Sequence, residues 1–185
     1  MNLTAIEQHR RIYNPVQRDA ATFLETSEET GGERTLAELE VAPGGKVTPH
    51  YHLTYSERFT VLEGRLTIEI DGVRHELAAG DQALAAPGSL HAWSNPGEER
   101  SVARVELRPG SPGFEKALRV AYGLAADGLV LKNGVPRNPL HAALVLEMGE
   151  VRLPGAYAAL ERILGRLARL ARWRGVDREL ERRYL

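Results

Sequence analysis

A chain of 185 residues, 43% apolar and 26% charged, has room for one folded domain with an appendage, or for two small domains. It contains no cysteine, which excludes disulfides, thiolate metal sites, iron–sulfur clusters and cysteine nucleophiles; any bound metal must be held by nitrogen and oxygen. The net charge of −1 is unevenly spread, because residues 151–185 carry nine arginines against Glu161, Asp177, Glu179 and Glu181, a balance of +5, so the first 150 residues sum to −6. The opening residues lack the apolar core of a signal peptide, and no apolar run approaches the roughly 18 residues of a membrane span, so a cytoplasmic location is expected.

From Ile12 to Leu107 the chain reads as short strands broken by turn residues, the pattern of an all-β sandwich or barrel. Strands are predicted over 34–41, 58–62, 66–70, 73–77, 82–86, 91–95 and 100–107. The clearest is Leu66-Thr67-Ile68-Glu69-Ile70, which alternates apolar and polar side chains, as does Val73-Arg74-His75-Glu76-Leu77. Asp71-Gly72 between them predicts a tight hairpin, since a type I′ turn needs positive φ at both central residues.

The cluster from Arg108 to Gly113, rich in proline and glycine, marks a boundary, which divides the chain into an expected barrel domain, 1–112, and a helical extension, 113–185. Beyond it the periodicity becomes helical. Helices are predicted over 114–126 and 138–150, with Pro139 in a first turn, and a third opens at Pro154. In that third helix Tyr157, Leu160, Ile163, Leu164, Leu167, Leu170 and Ala171 form an apolar stripe, while Arg162, Arg166, Arg169 and Arg172 line the other side. A solvated face or a dimer contact explains such a helix better than anionic lipid, and nothing resembles a DNA-binding helix-turn-helix, so no nucleic-acid partner is expected.

His50 and His52, spaced i and i+2, leave the same face of a strand. Glu57 follows five residues later, and His91 begins another strand. Three imidazoles and a carboxylate form an N3O set that leaves an octahedral ion two open positions, akin to the two-histidine, one-carboxylate triad of non-haem iron enzymes. The spacing by itself leaves a structural role open for the His-x-His pair.

The residues around these four resemble the cupin family. Its first motif, Gly-x5-His-x-His-x4-Glu-x6-Gly, is matched by Gly44, His50, His52, Glu57 and Gly64, and its second by Gly80, Gly88, His91 and Asn95. Ala86 stands where the family usually has proline, with Pro87 beside it, which predicts a slightly different turn. The resemblance implies a mainly β fold, a double-stranded β-helix or jelly-roll barrel, followed here by the α-helical extension. It also implies that His50, His52, Glu57 and His91 hold one divalent transition metal (Fe, Mn, Ni, Co, Cu or Zn). Jelly-roll barrels of this kind enclose a ligand cavity. By strand parity Phe59, Trp93, Asn95, Tyr51 and Tyr55 are candidates to line or rim it, or else to pack the core. His75 reads either as a second-layer donor or as an ordinary strand histidine.

Members of the family include dioxygenases, sugar isomerases, decarboxylases and non-catalytic binding domains. The expectation drawn from the residues is a dioxygenase-like oxidoreductase acting on a small organic molecule, with Glu57 doubling as a catalytic base. Phe59 and Trp93 favour an aromatic or otherwise apolar substrate. The alternative is a small-molecule or metal-binding module without catalysis. A homodimer is expected, as oligomers are common in the family.

Overall fold

The computed structural model describes residues 10–155 and 160–185, apart from the side chain of Glu161. Among the described residues nine strands precede four helices: β1 Arg11–Asn14, β2 Asp19–Glu25, β3 Thr35–Val41, β4 Ser56–Glu63, β5 Arg65–Ile70, β6 Val73–Ala78, β7 Gln82–Ala85, β8 His91–Ser94 and β9 Ser101–Arg108. The helices described are α1 Pro112–Ala126, α2 Pro139–Met148, α3 Glu161–Trp173 and α4 Val176–Tyr184. A cupin β-sandwich followed by C-terminal helices is thus the architecture, as the resemblance implied. Tyr157, assigned above to the stripe of the third helix, lies outside the described residues.

The strands form a six-stranded sheet, ordered β1-β2-β3-β9-β4-β7, and a three-stranded sheet, ordered β6-β5-β8. Every ladder is antiparallel. Alternation puts Leu39, Val41, Phe59, Val61 and Leu107 of the larger sheet against Leu66, Ile68 and Trp93 of the smaller one, and these side chains make the buried core between the sheets. Asp71 and Gly72 at the β5–β6 turn have φ of 51° and 82°, the positive pair that the hairpin requires. Gly64, at the β4–β5 junction, has φ 71°, and a Cβ there would stand 2.8 Å from the carbonyl oxygen of Arg100. No other residue type fits that corner without backbone movement.

Helix α1 joins barrel to extension. Ser111 caps it by accepting from the Phe114 amide at 3.1 Å, with Pro112 in the first turn. One face, with Tyr122 buried and Phe114, Leu118 and Ala121 partly so, packs on the barrel core. The opposite face, Val120 and Leu124, joins Leu144, Ala168, Ala171 and Leu180 in a second core among the helices. Asn138 and Pro139 open α2 in the same manner, the Asn138 side chain accepting from the Leu140 amide at 2.9 Å. Arg162, Arg166, Arg169 and Arg172 of α3 are exposed, while Leu164, Leu167 and Leu170 are half-buried. Leu160 and Ile163, from the same apolar stripe, remain exposed. No helix among the described residues is long and apolar enough to cross a membrane.

Candidate metal centre

The segment 46–52 is extended but is not a continuous strand, because Pro49 supplies no amide hydrogen and the pairing changes partner along it. Lys46 and His50 pair with Ser94 and His91 of β8, whereas Tyr51 pairs with Arg152 from the segment after α2. His50 and His91 exchange backbone hydrogen bonds of 3.0 and 2.8 Å, which brings residues 41 positions apart to adjacent sites. Gly88, in the turn before β8, donates its amide to the carbonyl of His52 at 2.6 Å and ties the two loops together. Glu57 enters from β4, flanked by Ala85 of β7 and Leu107 of β9.

These elements converge. One ligand atom from each of His50, His52, Glu57 and His91 lies within 4.8 Å of the others. Ligands at opposite ends of an ion with bonds of about 2.1 Å stand about 4.2 Å apart, so a small inward movement suits a first-row divalent metal. His52, Glu57 and His91 are buried, and His50 keeps part of its surface at solvent.

The hydrogen bonds of the imidazoles decide which nitrogen is available. Nδ1 of His50 lies 2.9 Å from the carbonyl oxygen of Thr48, and Nδ1 of His91 lies 2.9 Å from that of Ser89. A carbonyl only accepts, so both Nδ1 atoms carry hydrogen. Nδ1 of His52 lies 2.7 Å from the Tyr55 hydroxyl, whose single hydrogen is donated to the carbonyl of Gly149 at 2.7 Å. The phenolic oxygen must therefore accept from His52 Nδ1. In the neutral rings, all three Nε2 atoms are left with a free lone pair. Those of His52 and His91 are buried and make no hydrogen bond, although they stand 3.2 and 3.4 Å from the two oxygens of Glu57. Bare lone pairs facing a carboxylate repel one another until a cation lies between them. That donor set fits a divalent transition metal.

Without a metal the same geometry draws protons toward the rings beside Glu57, the positive charge that a cation would otherwise supply. Burial alone would push the Glu57 carboxyl up, yet the imidazoles of His52 and His91 hold it well below the usual carboxylate range, so it is ionised. Burial, together with the neighbouring His91, pushes His50 down to about 4 and keeps it neutral near pH 7. Burial also works to lower His91, but Glu57 outweighs it and raises this ring above its ordinary value. Burial, and then the negative charge of Glu57, pushes the Tyr55 hydroxyl up, so it remains protonated and able to donate.

The other sequence-predicted residues fall in distinct places. Phe59 and Trp93 are buried in the barrel core, the Phe59 ring centroid 6.2 Å from that of His91. Tyr55 is buried and stacks on His52 with centroids 4.4 Å apart. Tyr51 is half-buried beside the bridge to Arg152. Asn95 is buried, but its amide group serves the chain turns: it donates to the carbonyls of Val41 and Glu99 and accepts from the Gly97 amide. His75 lies on the edge strand β6, outside the cluster. Sequence reasoning missed Phe114 of α1, whose ring stands edge-on to His52 at 6.5 Å and to Tyr55 at 6.0 Å. It missed Gly149 as well. Neither carried a local signal, because both arrive from beyond the barrel.

An antiparallel double-stranded barrel with three histidines and a glutamate gathered inside defines a class of small metal-site β proteins. Residues 37–107 match the Cupin domain family model, and the chain carries a cupin domain of that superfamily, followed by helices. It is 40% identical over 72 residues to the polyketide synthase CurC of Streptomyces cyaneus, covering 38% of this chain and 46% of the relative. It is 34% identical over 105 residues to the dimethylsulfoniopropionate lyase DddW of Ruegeria pomeroyi, covering 57% of each. Among solved structures, KdgF from Halomonas is similar with a TM-score of 0.47 and 18% identity over 51% of this chain and 82% of that one. The chain spans about half the length of these two curated relatives.

Proposed function

We propose that this chain is a metal-dependent enzyme, a dioxygenase-like oxidoreductase that acts on a small aromatic or otherwise apolar molecule. The observation that carries the proposal is the gathering of three buried or half-buried imidazoles and Glu57 within 4.8 Å of one another, each Nδ1 engaged elsewhere and the Nε2 atoms of His52 and His91 facing the carboxylate. His50, His52, Glu57 and His91 would hold one divalent transition ion. Such an ion would supply Lewis acidity and, if it is iron, manganese or copper, redox capacity. His50 marks the solvent side of the centre, where a small molecule enters. Glu57 is ionised there, and because a carboxylate held this low is a weak base, it would accept a proton only from a substrate that the bound ion has made acidic. Phe59, Tyr55 and Phe114 exclude water behind it. The similarity to DddW supports a second reading, a lyase that eliminates a leaving group without consuming oxygen.

The test is metal-free protein loaded anaerobically with Fe(II), Mn(II), Co(II), Ni(II), Cu(II) or Zn(II). Oxygen uptake is then followed against catechols, flavonoids and diketones, with dimethylsulfoniopropionate as the elimination substrate. Oxygen consumed with a metal and a substrate together supports the oxygenase. Turnover under nitrogen favours the lyase, and binding without turnover reduces the protein to a binding module. A homodimer belongs to the same proposal, supported by apolar surface on α3, where Trp173 is 80% and Ile163 50% exposed. Sedimentation velocity reads it directly.

A further inference from the structure

We propose that the helical extension is part of the metal centre, and that Tyr55 is the positioning residue through which it sets the proton of His52. The inference rests on the metal-binding reading of the four ligands. His50 and His91 each fix their Nδ1 hydrogen on a carbonyl two residues earlier, at Thr48 and Ser89, so the barrel provides for them locally. His52 has no such local acceptor. Its Nδ1 hydrogen goes to the Tyr55 hydroxyl, which in turn donates to Gly149, 94 residues along the chain from Tyr55, just after α2.

An opposing pull makes this relay matter. Oε1 of Glu57 lies 3.2 Å from His52 Nε2 and, unopposed, favours a hydrogen on that nitrogen. A ring with hydrogen on Nε2 has no lone pair to offer a metal there. Tyr55, held by Gly149, keeps the hydrogen on Nδ1 and leaves Nε2 as a ligand.

The extension is fastened for this purpose at several points. Tyr51 and Arg152 exchange backbone hydrogen bonds of 3.1 and 2.9 Å. Thr54 donates to Glu150 at 2.6 Å, and Phe114 packs edge-on against both rings of the relay. The barrel thus contributes the four ligands, and residues 149–152 contribute the group that orients one of them.

The experiment compares full-length wild type, Tyr55→Phe and Tyr122→Phe. The last also loses a buried hydroxyl but lies away from the centre, so it controls for simple destabilisation. Zn(II) affinity is measured by chelator competition, and the hydrogen-bearing nitrogen of His52 by long-range proton–nitrogen NMR on metal-free protein above pH 7. The expected result is hydrogen on Nδ1 in wild type, transfer to Nε2 in Tyr55→Phe, and a roughly 10–100-fold weaker affinity in that variant alone, the usual effect of losing an outer partner of a ligating histidine. Hydrogen on Nε2 in wild type, or Tyr55→Phe binding Zn(II) within about twofold of wild type, overturns the inference. Should Tyr55→Phe fail to fold, the wild-type spectrum decides by itself. Wild type that binds no metal refutes the functional reading instead, and the same spectrum still tests the relay.

Discussion

Asp19 offers a sharp test of the packing between barrel and extension. It opens β2, is 1% exposed, and accepts the hydroxyl hydrogen of Tyr122 from α1 on Oδ2, while its Oδ1 has no hydrogen-bond partner. Burial pushes its carboxyl from 3.8 to about 7, with the Tyr122 hydrogen bond opposing that rise. A folded value above the unfolded one means that the native state holds its proton longer. From pH 4 to 7 the unfolded chain ionises while the folded one does not, so this group removes stability as pH rises, and above pH 7 the full penalty is present. A gap of this size corresponds to about 4 kcal/mol at most. Asp19→Asn keeps an oxygen for Tyr122 and carries no charge at any pH. Urea denaturation followed by circular dichroism at pH 5 and pH 8 should therefore show a smaller loss of stability on raising the pH in the variant than in wild type. The difference matters, not either slope, because other carboxyls, Glu57 among them, are held low and lose stability in the opposite direction, on acidification. Parallel wild-type and variant pH dependences would refute the reasoning.

Three further outcomes follow from packing and ligation. Phe59→Ala removes a ring that is fully enclosed in the barrel core and should cost about 3–5 kcal/mol in urea denaturation. Gly113→Ala places a methyl group against the carbonyl oxygen of Met148, next to the Gly149 anchor; separating α1 from the end of α2 should cost about 1–3 kcal/mol and lower the melting temperature. Adding the preferred metal at about 100 times its Kd should raise native stability by about 2.7 kcal/mol in wild type, and by much less in His50→Ala, when both are followed by urea denaturation.

Much of the barrel was legible because its strands alternate cleanly and its turns carry glycine where φ is positive. Leu66 to Leu77 shows this best: alternation, Asp71-Gly72 and alternation again specify a hairpin whose register the structure reproduces. The four converging side chains were legible for a different reason, since two spaced motifs carry them. Extended structure at His50–His52 was legible, but not its split pairing, which depends on β8 to one side and on Arg152 to the other. The role of Tyr55 was hidden because its acceptor, the Gly149 backbone carbonyl, has no side-chain signature. Asp19 carried no signal in the sequence; it is buried at the start of β2, where Tyr122 docks on it. Helix α4 was missed because Val176–Tyr184 is short and mostly charged, with Leu180 the one fully buried side chain among its residues.

Metal content measured by mass spectrometry on purified wild-type protein and on the His50→Ala/His52→Ala double variant tests the central claim most directly. Close to one divalent transition ion per wild-type chain and almost none in the variant is the predicted result. Equal content in both, or none in wild type after incubation with each candidate metal, would contradict it.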